Sequence, residues 1–526
     1  MRVWVIAQSI LAAPLGLVKR HGKVCLFTLV FYNALQLMTA RGGSRMSLVT
    51  ISPEAIARVA RDGLAGSPAS RKKVIVVGAG MAGLVAAYEL QRAGYEVQVL
   101  EARQRVGGRI QTLREPFAHG LYAEVGAMRI PRTHQLTRAY CAKFGLALAP
   151  FTADNPRAYY YLRGRKWRIA EVIAHPELLP FELLPRERGK TVRQMWRAAI
   201  REIEEDVRKQ GEAAWAAVAR QFDDFSIRQF LEYKGWSEGA IEMFGLIAEQ
   251  EALMHTSFLE LLREELGGFY ENLEEIEGGM DKLPNAFFPA LREAIRFGAR
   301  VIALDQEPDS VTVHYQTAAG RFSVSGDYAL LTLPFPALRH IDVIKPFSAA
   351  KQRAIRQLHY DGATKILLQF RRRFWEDDEG IYGGSTISDL PIRATYYPDH
   401  GRETRRGVIL ASYTWAEDAQ RWASLAPQDR VQRALENLSL IHPQACGEFE
   451  VGASKVWHED EFAGGAFALF APGQQTRLHE AIVACEGRIH FAGEHTCLTH
   501  AWIQGAIESG LREALRIHQA SWGNTL

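Results

Sequence analysis

The stretch Val74–Arg109, VIVVGAGMAGLVAAYELQRAGYEVQVLEARQRVGGR, constrains the fold more than any other part of this chain. Val74–Val77 is an unbroken β-branched run of strand length, as expected for a parallel strand buried on both faces. Gly78, Gly80 and Gly83 follow at the spacing G-x-G-x-x-G. The first permits a tight turn, the second lets backbone approach a pyrophosphate, and the third lets the next helix pack on the sheet. That helix, roughly Met81 to Ala93, points its free N–H groups and positive dipole end at the phosphates. Tyr95–Leu100 reads as a second strand closed by Glu101, 18 residues beyond Gly83, where a carboxylate can accept from an adenosine ribose. The glycine triplet alone is weak; inside strand–turn–helix–strand–acid it predicts a dinucleotide site. Gly78, Gly80, Met81, Ala82, Gly83, Glu101 and Ala102 are its expected lining.

A chain of 526 residues exceeds one core and is expected to divide into two or three domains. The formal charge of +3 gives no argument for nucleic acid. The cluster Arg371–Arg373 reads as a solvated strand end. Five cysteines (Cys25, Cys141, Cys446, Cys485, Cys497) are scattered with no C-x-x-C pair, which argues against a disulfide scaffold or a zinc site and favours a reducing compartment.

The first 45 residues differ from the rest. Val24–Leu37 is apolar and follows Lys19, Arg20, His21 and Lys23, so it reads as an export signal, an anchor, or an artefact of a start placed upstream of Met46. The expectation is a cytoplasmic protein without stable membrane association, exported if the leader is a genuine signal. Ser52–Leu64 has the pattern of an amphipathic helix, and Ala158–Ile169 that of a hairpin. From Thr191 to about Leu266 the pattern is helical, with Ser226 and Gln229 at capping-box spacing. The chain turns at GGMDKLP (Gly278–Pro284), and a helix is expected from Ala286 to Phe297. Strands are expected at Arg300–Leu304, Ser310–Tyr315 and Tyr328–Leu333, then in a second sheet at Lys365–Phe370, Ile392–Tyr397 and Gly407–Trp415. A helix near Gln428–Leu440, a last buried strand at Arg488–Phe491 and a helix from Trp502 complete the pattern.

Two further segments, RVGGR (Arg105–Arg109) and FAGEHT (Phe491–Thr496), resemble the flavin-dependent amine oxidase family, and AEVGAMRIP (Ala123–Pro131) narrows the resemblance to its L-amino acid oxidases. The resemblance runs from about Ser52 to His518. It implies FAD as cofactor and an α/β fold: an FAD-binding Rossmann-like domain with an inserted mixed-sheet substrate domain and a helical domain. The implied boundaries are 73–110, 279–357 and 483–523 for FAD binding, 111–167 and 359–455 for substrate binding, and 168–268 for the helical part. Further cofactor contacts are implied for Arg109, Gly126, Ala127, Met128, Arg129, Val301 at the adenine, Glu494, Trp502, Ile503, Gln504, Gly505 and Ala506. A helix N-terminus near the flavin ring would stabilise the charge that develops there.

The resemblance also assigns substrate roles. Arg129 would bind the α-carboxylate, a task suited to a planar guanidinium that grips both oxygens. Lys365, in HYDGATKILLQF, would hold a water at the flavin and serve its reoxidation, with a pKa lowered by burial. Tyr413, in GVILASYTW, would make a second carboxylate contact; a slip of one residue would present Ser412 instead. Trp502 would wall the amine site, and the backbone of Ala501 would reach the amino group. A histidine of the helical region that some relatives use as a base is replaced here by Arg263, and nearby His255 does not match, so no protein base is assigned. The implied activity is oxidative deamination of L-amino acids by molecular oxygen, giving 2-oxo acids, ammonia and hydrogen peroxide, with an amine oxidase or amino acid monooxygenase as the alternative. A homodimer is the implied assembly, and no metal is expected.

Overall fold

In the computed structural model the glycine turn lies at the middle of a parallel sheet. The structure describes residues 51–68 and 70–521, which belong to one unit, Ile51–Leu526; the leader lies outside the described residues. Strand Lys73–Val77 is flanked by Glu96–Leu100 and then Ile295–Arg296 on one side, and by Tyr328–Leu331 and then Ile489–Phe491 on the other. The chain leaves the first strand toward one edge and later returns to the opposite edge. The loop Gly78–Gly83 therefore sits at a topological switch point, where open α/β sheets bind ligands.

Side chains alternate across this sheet. Val74 and Val76 join a core with the helices Met81–Arg92, Lys282–Leu291 and Ile503–Ser521. Ile75 and Val77 face a second core, shared with a four-stranded sheet containing Arg300–Gln306 and Val311–Thr317. A parallel strand covered on both faces needs this uniform hydrophobicity, because neither surface meets water.

A seven-stranded mixed sheet runs in the order Phe449–Val456, Ala363–Phe370, Gly407–Trp415, Ala394–Tyr396, Ser385–Ser388, Tyr159–Leu162, Arg165–Arg168. The last two strands are the expected hairpin. Helices between Ile169 and Leu266 build a separate apolar cluster around Trp196, Phe230, Phe244 and Phe258. There Ser226 and Gln229 cap one helix reciprocally, as their spacing predicts. No helix among the described residues is long and apolar enough to cross a membrane.

Three local readings need correction. The helix expected at Ala286–Phe297 spans Lys282–Leu291. Pro284 lies in its first turn, where the missing N–H breaks no bond, and Ile295–Arg296 is drawn off as an edge strand by Val99 and Leu100. Strands Gly320–Gly326, Ser385–Ser388 and Phe449–Val456 are additional to those expected; each is defined by the neighbour it pairs with. The Arg371–Arg373 cluster is not simply solvated. Arg373 is buried and donates to Glu376 and the Pro398 carbonyl, while Arg372 pairs with Asp378 and Glu448.

Candidate active site

One cavity of about 720 Å³ runs from the glycine turn to the mixed sheet. At its first end the three glycines differ in kind. Gly78 has φ +103°, a conformation that L side chains rarely adopt, with the Thr332 hydroxyl 2.9 Å from where a Cβ would stand. A Cβ at Gly80 would meet nothing within 4 Å and would project into open space. A Cβ at Gly83 would collide with the Gly78 carbonyl oxygen. Gly83 thus packs helix on strand and stands off the cavity wall, as do Gln504 and Gly505. Gln504 accepts from Thr137, and a Cβ at Gly505 would strike the Thr499 carbonyl.

Glu101 is buried and accepts from the N–H groups of Ala79 (2.7 Å) and Arg103 (2.8 Å); burial pushes its pKa up against those two bonds. Positive charge is plentiful here but already compensated. Arg103 pairs with Asp460, Arg109 with Glu494 at 2.7 Å, and Arg105 spends its guanidinium on the carbonyls of Val106 and Gly108. An anion in this part of the cavity would meet mainly backbone. The Met81–Arg92 helix opens toward it with Gly80 as a cap that carries no side-chain acceptor. Ala102, Gly126, Ala127 and Val301 also line it. These features fit an extended dinucleotide whose phosphates rest on a helix N-terminus.

Glu494 bridges Arg109, Ala468 and Ala501; the Ala501 N–H donates to it at 3.0 Å. It thereby anchors the turn before the Ile503–Ser521 helix, whose first residues Ile503 and Ala506 line the cavity. Ala501 itself has φ +65°, in the left-handed region. Its N–H is committed to Glu494, so the carbonyl is the backbone group left to meet a ligand cation.

At the far end, Lys365 and Tyr413 face each other across adjacent strands. Lys365 is 1% exposed and lies on an interior strand rather than an edge. Its Nζ donates to the carbonyls of Gly126 (2.7 Å) and Glu124 (3.2 Å) and approaches the Met128 thioether at 3.2 Å. Burial lowers its pKa to about 7 against the opposing pull of the Glu124 carboxylate. The Glu124 carboxyl, also buried, is raised to about 7 while it accepts from Thr112 and Met280. Tyr413 lines the cavity with its ring 4.4 Å from Lys365 Nζ. Ser412 is fully buried on the opposite face and donates to the Ile392 carbonyl. The register shift between Ile366 and Leu367 in the pairing of these strands shows why a count along the sequence left the two residues open.

Arg129 reaches into the same end among the rings of Tyr270 (5.1 Å), Tyr396 (5.9 Å) and Trp502 (6.0 Å). Among the described residues no carboxylate pairs with its guanidinium. Glu249 and Glu264 are nearby acids; Glu249 is hydrogen-bonded to Tyr396, and burial raises its pKa to about 6. The Trp502 indole donates to Glu264 at 2.7 Å, and Glu264 also accepts from Tyr270. Tyr396 and Glu264 were not legible in the sequence, since nothing in their neighbourhoods marks them. Arg263 faces Glu260 and Gln475, and His255 is solvent-exposed, so neither lines the cavity.

Residues 81–518 match the family described as flavin-containing amine oxidoreductase. Similar proteins include the "Putative L-amino-acid oxidase YobN" of Bacillus subtilis (strain 168), 41% identical over 88% of this chain and 98% of its own length. The L-amino-acid oxidase of Vipera ammodytes ammodytes is 38% identical over 89% of this chain and 97% of its own. Among solved structures, a putrescine oxidase with a redesigned cofactor site (21% identity, TM-score 0.71) and the cyclohexylamine oxidase of Brevibacterium oxydans IH-35A (19%, 0.69) each match 86% of this chain and 99% of theirs. At that identity the structures speak for the fold, which is shared along nearly their whole length. The chain belongs to the flavin-containing amine oxidoreductases.

Proposed function

We propose that the protein catalyses oxidative deamination of L-amino acids with FAD as acceptor and molecular oxygen as final oxidant. The observation that carries this reading is Arg129, a guanidinium facing the cavity without a carboxylate partner among the described residues. A half-buried guanidinium open to a cavity can take up a counter-ion there, and the α-carboxylate of an amino acid supplies one in bidentate geometry. A simple amine has no such group.

The bound flavin supplies a two-electron acceptor for the Cα–H bond and passes the electrons to oxygen. The protein's part is orientation and proton control. Arg129 grips the carboxylate, and the Tyr413 hydroxyl is the second contact. The Ala501 carbonyl accepts from the amino group, and Trp502 walls that side. Lys365 Nζ, with a pKa near neutrality, holds and releases a proton on the mixed-sheet side. Water then hydrolyses the imino acid to a 2-oxo acid and ammonia, and the oxygen consumed appears as peroxide.

The division at 73–110, 279–357 and 483–523 (FAD), 111–167 and 359–455 (substrate) and 168–268 (helical) belongs to the same proposal, as do a homodimer and a cytoplasmic location. The test is a panel of the twenty L-amino acids and several simple amines. Equal yields of peroxide and 2-oxo acid from amino acids are expected. Bleaching of the flavin by amines but by no amino acid would overturn the reading, and a decarboxylated amide product would mark a monooxygenase instead.

A further inference from the structure

Three consecutive residues, His500, Ala501 and Trp502, are each held by a different carboxylate. His500 Nδ1 lies 3.0 Å from Glu260, the Ala501 N–H donates to Glu494 at 3.0 Å, and the Trp502 indole donates to Glu264 at 2.7 Å. Glu260 and Glu264 are one turn apart on the Phe258–Leu266 helix and therefore share a face. That helix is rooted in the aromatic cluster of the helical region through Phe258, Leu259 and Leu262. Ala501, between the two anchored side chains, has a left-handed backbone that a residue with a Cβ adopts only when its surroundings enforce it.

The clamp is enclosed. Glu260 and His500 are buried, the His500 ring packs on Phe470 at 4.6 Å, and Glu260 also accepts from the Phe470 N–H. Glu264 passes its second oxygen to Tyr270, whose ring lies beside Arg129. Glu494 holds the His500–Ala501 peptide through the Ala501 N–H and leaves the Ala501–Trp502 peptide, which carries the Ala501 carbonyl, to the flanking anchors.

We propose that Glu260 and Glu264 are positioning residues for the substrate's amino group: by fixing His500 and Trp502 they hold the intervening Ala501 carbonyl at the angle that accepts from an α-ammonium. This rests on the reading of the cavity as an amino acid site. It assigns the helical region a part in amine recognition through Glu260, which stands off the cavity wall, and Glu264, which lines it.

The experiment compares two ligand pairs that differ only in the amino group: L-phenylalanine with 3-phenylpropionate, and L-leucine with 4-methylpentanoate. Dissociation constants for the FAD-loaded enzyme are measured anaerobically for the acids by perturbation of the flavin spectrum, and KM and kcat are measured for the amino acids. Glu260→Ala and Glu264→Ala are expected to raise KM for the amino acid about tenfold relative to any change for the deaminated acid, since small displacements of an orienting group carry costs of that order. Glu260→Gln and Glu264→Gln, which keep an acceptor oxygen, should recover most of the loss. Should either alanine variant fail to fold, His500→Phe or Trp502→Phe removes the same bond from the other side. A ratio of amino acid to deaminated acid that stays at the wild-type value in an alanine variant removes that residue from the proposal, because general damage to the pocket would weaken both ligands alike. A wild-type enzyme that binds neither ligand of either pair would instead overturn the amino acid reading itself.

Discussion

The two ends of the cavity treat charge in opposite ways. At the glycine turn the arginines are spoken for: Arg103 by Asp460, Arg109 by Glu494, Arg105 by loop carbonyls. What remains for a ligand is backbone and a helix N-terminus, and access depends on the absence of a side chain at Gly80. At the mixed sheet, Arg129 has no carboxylate partner among the described residues, and Lys365 is held by carbonyls and a thioether. A cation held in an ion pair shapes a wall, whereas one with no carboxylate bonded to it can select a ligand. The first end is suited to a permanent occupant held by many weak contacts. The second is suited to a small anion that must bind, react and leave.

The largest effect expected from this contrast is at Arg129. Arg129→Ala should lower kcat/KM for an L-amino acid roughly 10²–10³-fold, in line with the ~2–5 kcal/mol carried by one partner of a desolvated charge pair, while flavin content stays at wild-type level. Arg129→Lys should recover only part, since a point charge cannot make the bidentate grip. Loss of flavin along with activity would break the separation of the two ends.

Next comes Lys365. Lys365→Met is expected to slow reoxidation of the reduced flavin by oxygen roughly 10²-fold, as for removal of a proton-handling group, with the anaerobic half-reaction much less changed; stopped-flow mixing with oxygen measures this. Because its pKa is lowered from 10.5 to about 7, the cation is present below about pH 7 and is lost above it, and the reoxidation rate should fall with it. The stability effect has the opposite sense. The unfolded lysine holds its proton up to about 10.5, so folding releases a proton between the two values, and wild type gains stability over Lys365→Met as pH rises through that window.

At the glycine end the expected effects are on the protein before they are on catalysis. Gly83→Ala places a methyl against the Gly78 carbonyl and should cost about 1–3 kcal/mol of stability, the usual range for overpacking. Gly80→Ala meets open space and should leave the melting temperature of the apoprotein in place while weakening FAD binding. Equal thermal losses in both would show that the turn resists substitution as a whole. The smallest effect is at Tyr413, where Tyr413→Phe should raise KM several-fold, about 1 kcal/mol for one hydrogen bond. Ser412→Ala, on the far face, should leave KM alone.

Much of the cofactor end was readable because its parts lie close together in the chain. Gly78, Gly80, Gly83 and Glu101 belong to one βαβ unit whose spacing is a local geometric requirement, and the tight turn at Gly78 and the helix packing at Gly83 reappear in the structure. Readability failed where a partner decides. Phe449–Val456, interrupted by Gly452, becomes a strand because Ala363–Phe370 offers it an edge. Gln504 and Gly505 sit next to lining residues in sequence but point elsewhere, since a helix turns each successive side chain about its axis.

By itself the sequence determined the dinucleotide-binding unit, the helical stretch between Thr191 and Leu266, and the identity of the residues with chemistry to offer. These follow from short-range rules: period, turn chemistry and glycine placement. Only the tertiary structure decided that Arg129 lacks a counter-ion among the described residues, that Lys365 is buried among carbonyls, that Tyr413 rather than Ser412 faces the cavity, and that Glu260 and Glu264 clamp His500 and Trp502. Charge compensation and burial depend on groups brought together from distant segments, and no local pattern records which of them will meet.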